Sequence, residues 1–391
     1  MPSTSPIYVE GGWVSAYAGA MSSTNEFEIF LVATPGLEAA LLAEVRSRRF
    51  KAIKPVAGGV AVRGNWPDVW RANLELRGAT RVLARIGSFR ALHLAQLDKR
   101  ARGFDWKAFL RPDVPLRVEV TCKGSRIYHS GAAAQRIETA LREELGAVIS
   151  ADAELCIKTR IEDDLCTISI DTSGDSLHKR GHKEAIGKAP LRETLASLFL
   201  RQCGFDGSET VIDPMCGSGT IVIEAAEIAA GLNPGRSRSF AFELLAGFDP
   251  VAWQRLRSKS SGAVPGFRFH GSDRDAGAIA TCRANAMRAG VTEWTDFHQR
   301  PISDVAPPEG PPGLVMVNPP YGTRIGDKKA LYGLYGALGQ TLSKRFSGWR
   351  VGLITTEPSL AKATSLAFAP SGPPASHGGL GVFLFRTEPL A

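Results

Sequence analysis

The sequence predicts an α/β protein whose larger part is a doubly wound, mainly parallel sheet, preceded by a smaller α+β region. After residue 190, strand patterns and helical patterns alternate regularly, which is typical of a parallel sheet covered by helices on both faces. Before residue 172, strands and helices follow one another in small mixed units. The 391 residues, of which 44% are apolar and 22% charged, are enough for two or three folded domains and exclude a disordered chain.

The charge balance and the cysteines narrow the class of protein. Basic residues outnumber acidic residues by 47 to 39, and the net charge of +8 favours a polyanionic partner. None of the 6 cysteines forms a pair at metal-ligand spacing, so we expect reduced thiols and no metal site. The first basic residue is Arg46, and no stretch approaches the roughly 20 apolar residues of a membrane span. These features predict a cytoplasmic protein that is neither secreted nor inserted in a membrane.

The N-terminal half is predicted to begin as a β-α-β unit behind a disordered tail. The tail, residues 1–25, is rich in small polar residues without a period, and Met21 is an alternative start within it. Thr34 and Pro35 are predicted to be the N-cap and the first residue of a helix. The remaining patterns predict strands at 27–33, 58–64 and 116–124, helices at 68–76 and 132–147, and a hairpin that turns at Asp163–Asp164.

The C-terminal half follows a basic segment, residues 173–189, which has little apolar content and is predicted to be a linker. The strands predicted after it lie at 210–214, 267–273, 313–318, 349–356 and 381–386, with helices between the first four. Each of the first three strands ends in a polar motif. Because ligands bind at the carboxyl ends of strands in such sheets, these motifs are expected to form a single site.

The first motif spans residues 213–220 and opens a helix. Its glycines, Gly217 and Gly219, let backbone N–H groups approach a ligand. No Lys-Ser or Lys-Thr pair follows them, which excludes a phosphate-binding P-loop, and Val222 stands where a dinucleotide fingerprint has its third glycine. The acidic residue ahead of the glycines, Asp213, suits a ligand that carries an amino group.

The second and third motifs complete the predicted site. Asp273 ends its strand and is placed to accept the hydroxyls of a ribose, whereas Asp275 is predicted to cap the next helix. In the Asn-Pro-Pro-Tyr motif at 318–321, the amide oxygen of Asn318 and a carbonyl fixed by the prolines are two hydrogen-bond acceptors. With the aromatic face of Tyr321, they describe a seat for a planar amine.

Together, the three motifs resemble those of class I methyltransferases that use S-adenosylmethionine, with Asn-Pro-Pro-Tyr as the motif of exocyclic-amine methylation. The stretches at 171–181 and 189–196 are similar to the THUMP-linked guanine-N2 RNA methyltransferases, and most of all to the bacterial 23S rRNA enzymes. The likeness runs from about residue 27 to the C-terminus. It implies a ferredoxin-like subdomain at 26–75, a THUMP domain at 76–172 and a Rossmann-like class I methyltransferase domain at 190–391.

The resemblance implies roles for individual residues. The catalytic seat for the amine would consist of Asn318, Pro319, Pro320 and Tyr321. The cofactor would be held by Pro190, Glu193, Thr194, Asp213, Met215, Gly217, Ser218, Gly219, Thr220, Asp273, Asp304 and Asn318. RNA contacts are expected from Lys179, Arg180, Lys183 and Arg324. The sequence departs from the family at one position. Where the family has an acidic residue that contacts the adenine amino group of the cofactor, this chain has Pro301, and Asp304 is expected to replace that residue.

Several alternatives remain open for the substrate. Asn-Pro-Pro-Tyr also serves adenine-N6 DNA enzymes and the glutamine methylation of release factors, but the segment at 124–141 resembles a THUMP module, which binds structured RNA. A tRNA guanine-N2 methyltransferase and a non-catalytic RNA-binding assembly factor are the other candidates. Cys216 lies in the cofactor loop, so we do not expect a covalent cysteine mechanism. We also expect residues 173–391 alone to bind the cofactor while the N-terminal half selects the RNA.

Overall fold

The computed structural model describes residues 26–183, 191–259, 262–321 and 328–391. The predicted tail at 1–25, Pro190 and Arg324 lie outside these residues. The strands are β1 (Phe27–Val32), β2 (Lys51–Val56), β3 (Gly59–Gly64), β4 (Arg81–Arg90), β5 (Leu116–Lys123), β6 (Leu155–Glu162), β7 (Leu165–Asp171), β8 (Val211–Asp213), β9 (Phe269–Asp273), β10 (Thr295–Gln299), β11 (Leu314–Val317), β12 (Arg350–Thr355), β13 (Ala375–His377) and β14 (Leu380–Arg386). The helices are α1 (Glu38–Ser47), α2 (Trp66–Glu75), α3 (Leu94–Arg102), α4 (Ser130–Ala140), α5 (Glu193–Gln202), α6 (Thr220–Ala229), α7 (Pro250–Arg257), α8 (Ala276–Ala289), α9 (Lys328–Arg345) and α10 (Pro358–Ala363). None of these described helices has both the length and the apolar character needed to cross a membrane.

The N-terminal half is built on one 7-stranded sheet with the order β2-β3-β1-β4-β7-β6-β5. Adjacent strands of this sheet are antiparallel, except for β5 and β6, which are parallel. Strand β4 pairs with β1 on one side and with β7 on the other, so the sheet runs without a break through residues 27–171. The predicted hairpin between β6 and β7 is confirmed, and both turn residues, Asp163 and Asp164, adopt the positive φ that a tight hairpin turn requires.

The C-terminal half has a second 7-stranded sheet with the order β10-β9-β8-β11-β12-β14-β13. The first five strands are parallel, and β14 runs antiparallel to both β12 and β13. The predicted doubly wound, mainly parallel sheet is therefore confirmed. From β8 the chain builds outward to β9 and β10 on one side, and β11 and β12 lie on the other. The order thus reverses between β8 and β11, which is where such sheets bind ligands.

The predicted starts of α1, α2 and α4 are wrong because local capping differs from the pattern; α4, for example, begins at Ser130 and not at 132. Helix α1 begins at Glu38 rather than at Pro35, since the amide of Leu37 donates to the carbonyl of Thr34 at 2.9 Å and closes a turn first. Helix α2 begins two residues earlier than predicted. Asn65 caps it, accepting from the amide of Asp68 while the Asp68 carboxylate accepts from the Asn65 amide.

The two halves of the chain share their hydrophobic cores. Phe242 and Trp253 belong to the C-terminal half of the sequence, yet both pack in the core of the N-terminal sheet. The ring centroids of Trp70 and Phe242 lie 6.0 Å apart, and those of Phe242 and Trp253 lie 5.0 Å apart. In return, Leu37 joins the core of the C-terminal sheet. A fragment that starts at 173 would expose these rings, so we no longer expect it to fold and bind the cofactor by itself.

A buried ion cluster also connects the halves. Arg77, which follows α2, donates from Nη1 to the carboxylates of Glu224 and Glu227 on α6 at 2.8 and 3.2 Å. Arg180 donates to Glu224 at 2.9 Å, and its side chain is only 1% exposed. The expected RNA contact of Arg180 is therefore wrong, because its guanidinium is already paired inside the protein.

We predict that Arg77→Met lowers the free energy of unfolding by about 3 kcal/mol or more, because removing one member of a buried ion cluster leaves carboxylates uncompensated. Urea denaturation of the full chain measures the change. Arg46→Met is the control, since Arg46 is exposed at the end of α1 and its loss should cost less than about 0.5 kcal/mol. Equal losses for the two variants would contradict the prediction.

Candidate active site

The three predicted motifs meet at the carboxyl edge of the C-terminal sheet, around a cavity of about 940 Å³. Asp213 ends β8, Asp273 ends β9 and Asn318 follows β11. The predicted site residues that line the cavity are Asp213, Met215, Gly217, Ser218, Thr220, Asp273, Asn318, Pro319, Pro320 and Tyr321. One end of the cavity is thus formed by the glycine motif and the other by the Asn-Pro-Pro-Tyr motif.

The glycine turn and the second motif hold each other in place. Gly217 and Gly219 have φ angles of 53° and 83°, in the left-handed region that a side chain disfavours. The Gly217 amide donates to Asp273 Oδ2 at 3.1 Å, and the other carboxylate oxygen accepts from the Asp275 amide at 3.0 Å. Gly219 does not line the cavity but caps the N-terminus of α6. The predicted capping of α8 by the side chain of Asp275 is confirmed.

Asp213 is a buried carboxyl group, only 2% exposed. Its Oδ1 accepts a hydrogen bond of 3.0 Å from the Met215 amide. Burial raises the pKa of this carboxyl to about 8, and the neighbouring charge of Asp273 adds to the rise. Among the described residues, no cation pairs with Asp213. A ligand with a positive charge would supply that missing partner.

The Asn-Pro-Pro-Tyr loop presents two hydrogen-bond acceptors that are not used. Asn318 Oδ1 is buried and has no partner in the described part of the chain. No donor from the described residues reaches the Pro319 carbonyl, whereas the Pro320 carbonyl lies 3.3 Å from the hydroxyl of Tyr335. Because an unpartnered buried oxygen costs free energy, this arrangement is suited to a ligand that brings its own N–H donors.

The thiol of Cys216 also lines the cavity. Its sulfur lies 3.6 Å from Cys282 Sγ, and this contact together with burial raises the pKa of the Cys216 thiol. A thiol with a raised pKa remains protonated and is a poor nucleophile. The electrostatics therefore favour the interpretation of Cys216 as a packing residue.

Some predicted residues lie away from the cavity or have other partners. The Lys183 ammonium lies 2.8 Å from the Glu193 carboxylate and 2.7 Å from Thr220 Oγ1, and its side chain is 11% exposed. The expected RNA contact of Lys183 is wrong for that reason. Glu193 and Thr194 are buried behind the cavity and do not line it. Lys179 is exposed, and its ammonium pairs with Asp175 at 2.9 Å.

Asp304, expected to contact the cofactor, does not line the cavity. Its carboxylate is exposed and accepts from the Ser303 hydroxyl at 2.9 Å. A short 3-10 turn at Ile302–Asp304 buries Ile302 against the cavity and leaves Asp304 at the surface. The wall at this point consists of Arg300, Pro301 and Ile302.

The cavity wall also contains residues that were not predicted from the sequence. Most of them are apolar, and the charged or polar ones are Arg274, Arg300, Thr356 and Glu357. Arg300 follows β10, which was not among the predicted strands. Thr356 and Glu357 follow β12, and their position at the end of a predicted strand was a signal that could have identified them.

Comparison with known proteins identifies the family. The profile of the RMKL-like methyltransferase domain matches residues 180–372, and that of the RlmL ferredoxin-like domain matches residues 28–83. A protein of Synechocystis sp., provisionally named an RNA methyltransferase, is 30% identical over 380 residues, which are 94% of this chain and 98% of the relative. The chain belongs to the RlmL-like methyltransferase family.

This RlmL-like methyltransferase is also similar to a second curated relative and to a protein of known structure. Ribosomal RNA large subunit methyltransferase K/L of Methylococcus capsulatus is 33% identical over 358 residues, and the match covers 87% of this chain but only 48% of that relative. The crystal structure of SMU.472, a protein provisionally named a methyltransferase and complexed with SAH, is 25% identical, with a TM-score of 0.84 over 94% of this chain and 99% of that one. At the level of the family, the predicted S-adenosylmethionine-dependent RNA methyltransferase is confirmed.

The cavity fits that cofactor. S-Adenosylmethionine carries an ammonium group, and the cavity holds one buried carboxyl group, Asp213, without a cation among its described neighbours. A Cβ on Gly217 would meet no atom within 4 Å, which leaves the backbone at the turn open to a ligand.

We predict that Asp213→Asn changes how the stability of the cofactor-free protein depends on pH. The pKa of Asp213 is about 8 in the folded protein, against about 3.9 in an unfolded chain, so only the folded state holds the proton between these values. The free energy of unfolding should fall as the pH rises from about 4 to about 8, by up to about 1.4 kcal/mol per pH unit from this group. In the variant this contribution is absent.

Urea denaturation at several pH values between 5 and 8 measures the difference between variant and wild type, which should grow in favour of the variant as the pH rises. Asp152→Asn is the control, because Asp152 is exposed. Parallel curves for Asp213→Asn and wild type would show that Asp213 ionises as an ordinary surface carboxylate.

Proposed function

We propose that this protein transfers a methyl group from S-adenosylmethionine to the exocyclic N2 of a guanine in RNA, with 23S rRNA as its substrate. The observation that carries the proposal is the pair of unused acceptors, Asn318 Oδ1 and the Pro319 carbonyl, in the cavity that also holds the glycine turn. An exocyclic amine brings two N–H donors, which is the number that these acceptors can take.

The cofactor would lie at the glycine end of the cavity. Asp213 would face its amino group, the backbone at Gly217 and Ser218 would follow the methionine part, and Asp273 would accept the ribose hydroxyls. Glu193 would act indirectly, because it holds Lys183 against Thr220 at the start of α6. When bound, the cofactor supplies an electrophilic methyl group on a sulfonium.

The protein's own contribution to the chemistry is to orient the amine. The lone pair of an exocyclic nitrogen is delocalised into the ring, which makes the nitrogen a weak nucleophile. Asn318 and the Pro319 carbonyl, by accepting both N–H groups, would concentrate electron density on the nitrogen and fix its direction of attack. Tyr321 would stack on the base plane. Positioning of this kind supplies several kcal/mol of barrier lowering.

RNA is the substrate class that the relatives support, since their names describe RNA and large-subunit ribosomal RNA methyltransferases. The surface offers basic residues for phosphate contacts, and one exposed group lies where α1 ends and β2 begins. Its members are Arg46, Arg48, Arg49 and Lys51. A tRNA substrate and a non-catalytic assembly role are the alternatives that the experiment must separate.

Nucleoside mapping of RNA from a deletion strain and from the complemented strain tests the proposal. Loss of one N2-methylguanosine from the 23S rRNA, restored on complementation and reproduced by the purified protein on a 23S transcript, is the expected result. Loss of the same nucleoside from tRNA identifies the first alternative. Unchanged methylation together with a defect in ribosome assembly identifies the second.

We expect Asp273→Ala to weaken the binding of S-adenosylmethionine by about 10- to 100-fold, because a hydrogen bond to a charged acceptor contributes about 1.5–3 kcal/mol. Calorimetry with the full chain gives the affinity, and Glu388→Ala, at an exposed position, is the control. An affinity equal to that of the wild type would remove Asp273 from the cofactor site.

Asn318→Ala is expected to lower the single-turnover rate of methyl transfer by about 100-fold or more while cofactor affinity changes only about threefold, since the amide acts on the amine as it reacts. Gln254→Ala, which removes an exposed amide on α7, serves as the control. If methyl transfer survives within a few-fold, the amine-seat mechanism is incorrect.

A further inference from the structure

Glu357 lines the cavity at the end that carries the Asn-Pro-Pro-Tyr motif. Strands β11 and β12 are parallel neighbours, with Val317 opposite Leu353. The residues that follow them, Asn318 on one strand and Glu357 on the other, therefore leave the sheet at the same edge. Both line the cavity together with Tyr321.

Hydrogen bonds through Tyr335 fix the two strand ends relative to each other. This tyrosine is fully buried, and its hydroxyl lies 3.3 Å from the Pro320 carbonyl and 3.2 Å from Thr355 Oγ1. The Glu357 amide in turn donates to Thr355 Oγ1 at 3.3 Å. The backbone of Glu357 is thus connected to the amine seat by three consecutive contacts.

The side chain of Glu357, in contrast, has no hydrogen-bond or ion-pair partner within the described part of the chain. None of the hydrogen bonds and ion pairs of the described residues involves its carboxylate. Glu357 occupies the N-cap position of α10, but its side chain makes no capping hydrogen bond there. A structural role in the helix therefore does not explain why a carboxylate stands at this position.

The Watson–Crick edge of guanine presents the ring N1–H directly beside the exocyclic N2 amine. When an enzyme takes a base out of the stack, it reads this edge by hydrogen bonds. If the amine is bound by Asn318 and the Pro319 carbonyl, the neighbouring N1–H requires one further acceptor. Adenine has a bare nitrogen at N1, and a carboxylate would repel the lone pair of that nitrogen.

We propose that Glu357 determines specificity for guanine by accepting the N1–H of the target base. This inference rests on the proposed function and goes beyond it, because it separates the residue that selects the base from those that orient its amine. A site built around such a hydrogen bond rejects an analogue that lacks the donor, since the carboxylate is then left facing an acceptor.

The test compares two RNA fragments, which carry guanosine or 2-aminopurine at the position found by nucleoside mapping. 2-Aminopurine keeps the 2-amino group but has a bare N1. We expect the wild type to prefer guanosine by about 10- to 100-fold in kcat/KM, the range of one charge-assisted hydrogen bond. Glu357→Gln should lose this preference, because the glutamine amide can donate to a bare N1. Cofactor affinity should stay unchanged.

The controls separate this inference from the proposed function. Glu309→Gln removes an exposed carboxylate elsewhere and should keep the wild-type preference. If the wild-type protein methylates no guanosine RNA, the proposed function itself fails. If it does, but Glu357→Gln slows both fragments equally or weakens cofactor binding tenfold, Glu357 supports the fold or the cofactor and does not select the base.

Discussion

The structure depends on the buried ion cluster in which Arg77 and Arg180 meet Glu224. Helix α6 starts at the glycine turn that closes one end of the cavity, and the same helix carries Glu224 and Glu227. The guanidinium of Arg77 comes from the N-terminal sheet region. The cluster therefore connects that region to α6 and to the glycine turn at the start of this helix. Because the charges are buried, separating them would leave each uncompensated, and the two halves are held in one arrangement.

The two ends of the cavity carry different kinds of polar groups that lack a partner among the described residues. At the glycine end, Asp213 is a carboxyl group with a pKa raised by burial, and at the other end lie acceptors that no described residue supplies with a donor. A folded protein normally satisfies its buried polar groups, so Asp213 and Asn318 Oδ1 are two groups of this cavity that a ligand can complement. In the proposed function, the cofactor complements the first of these ends and the target base complements the second.

Much of the fold could be predicted, because five strands of the C-terminal sheet carry clear patterns and three of them end in recognisable motifs. Strands β2 and β4 of the N-terminal sheet and β10 and β13 of the C-terminal sheet were not predicted, and without β10 the position of Arg300 could not be predicted either. The RNA contacts predicted from the basic segment at 173–189 were wrong for Arg180 and Lys183. Arg180 is paired with Glu224, which lies 44 residues further along the chain, and a sequence pattern cannot show such a distant partner. Nor can it show that Asn318 Oδ1 receives no hydrogen bond from any residue that the structure describes.

The interleaved cores have a consequence for synthesis on the ribosome. Strands β1 to β7 leave the ribosome first, but the face of α2 that carries Trp70 is covered only when Phe242 and Trp253 have been made. Until then an apolar patch of the nascent chain faces water, which is the kind of surface that chaperones recognise. The N-terminal half therefore completes its core only after more than half of the protein has been translated.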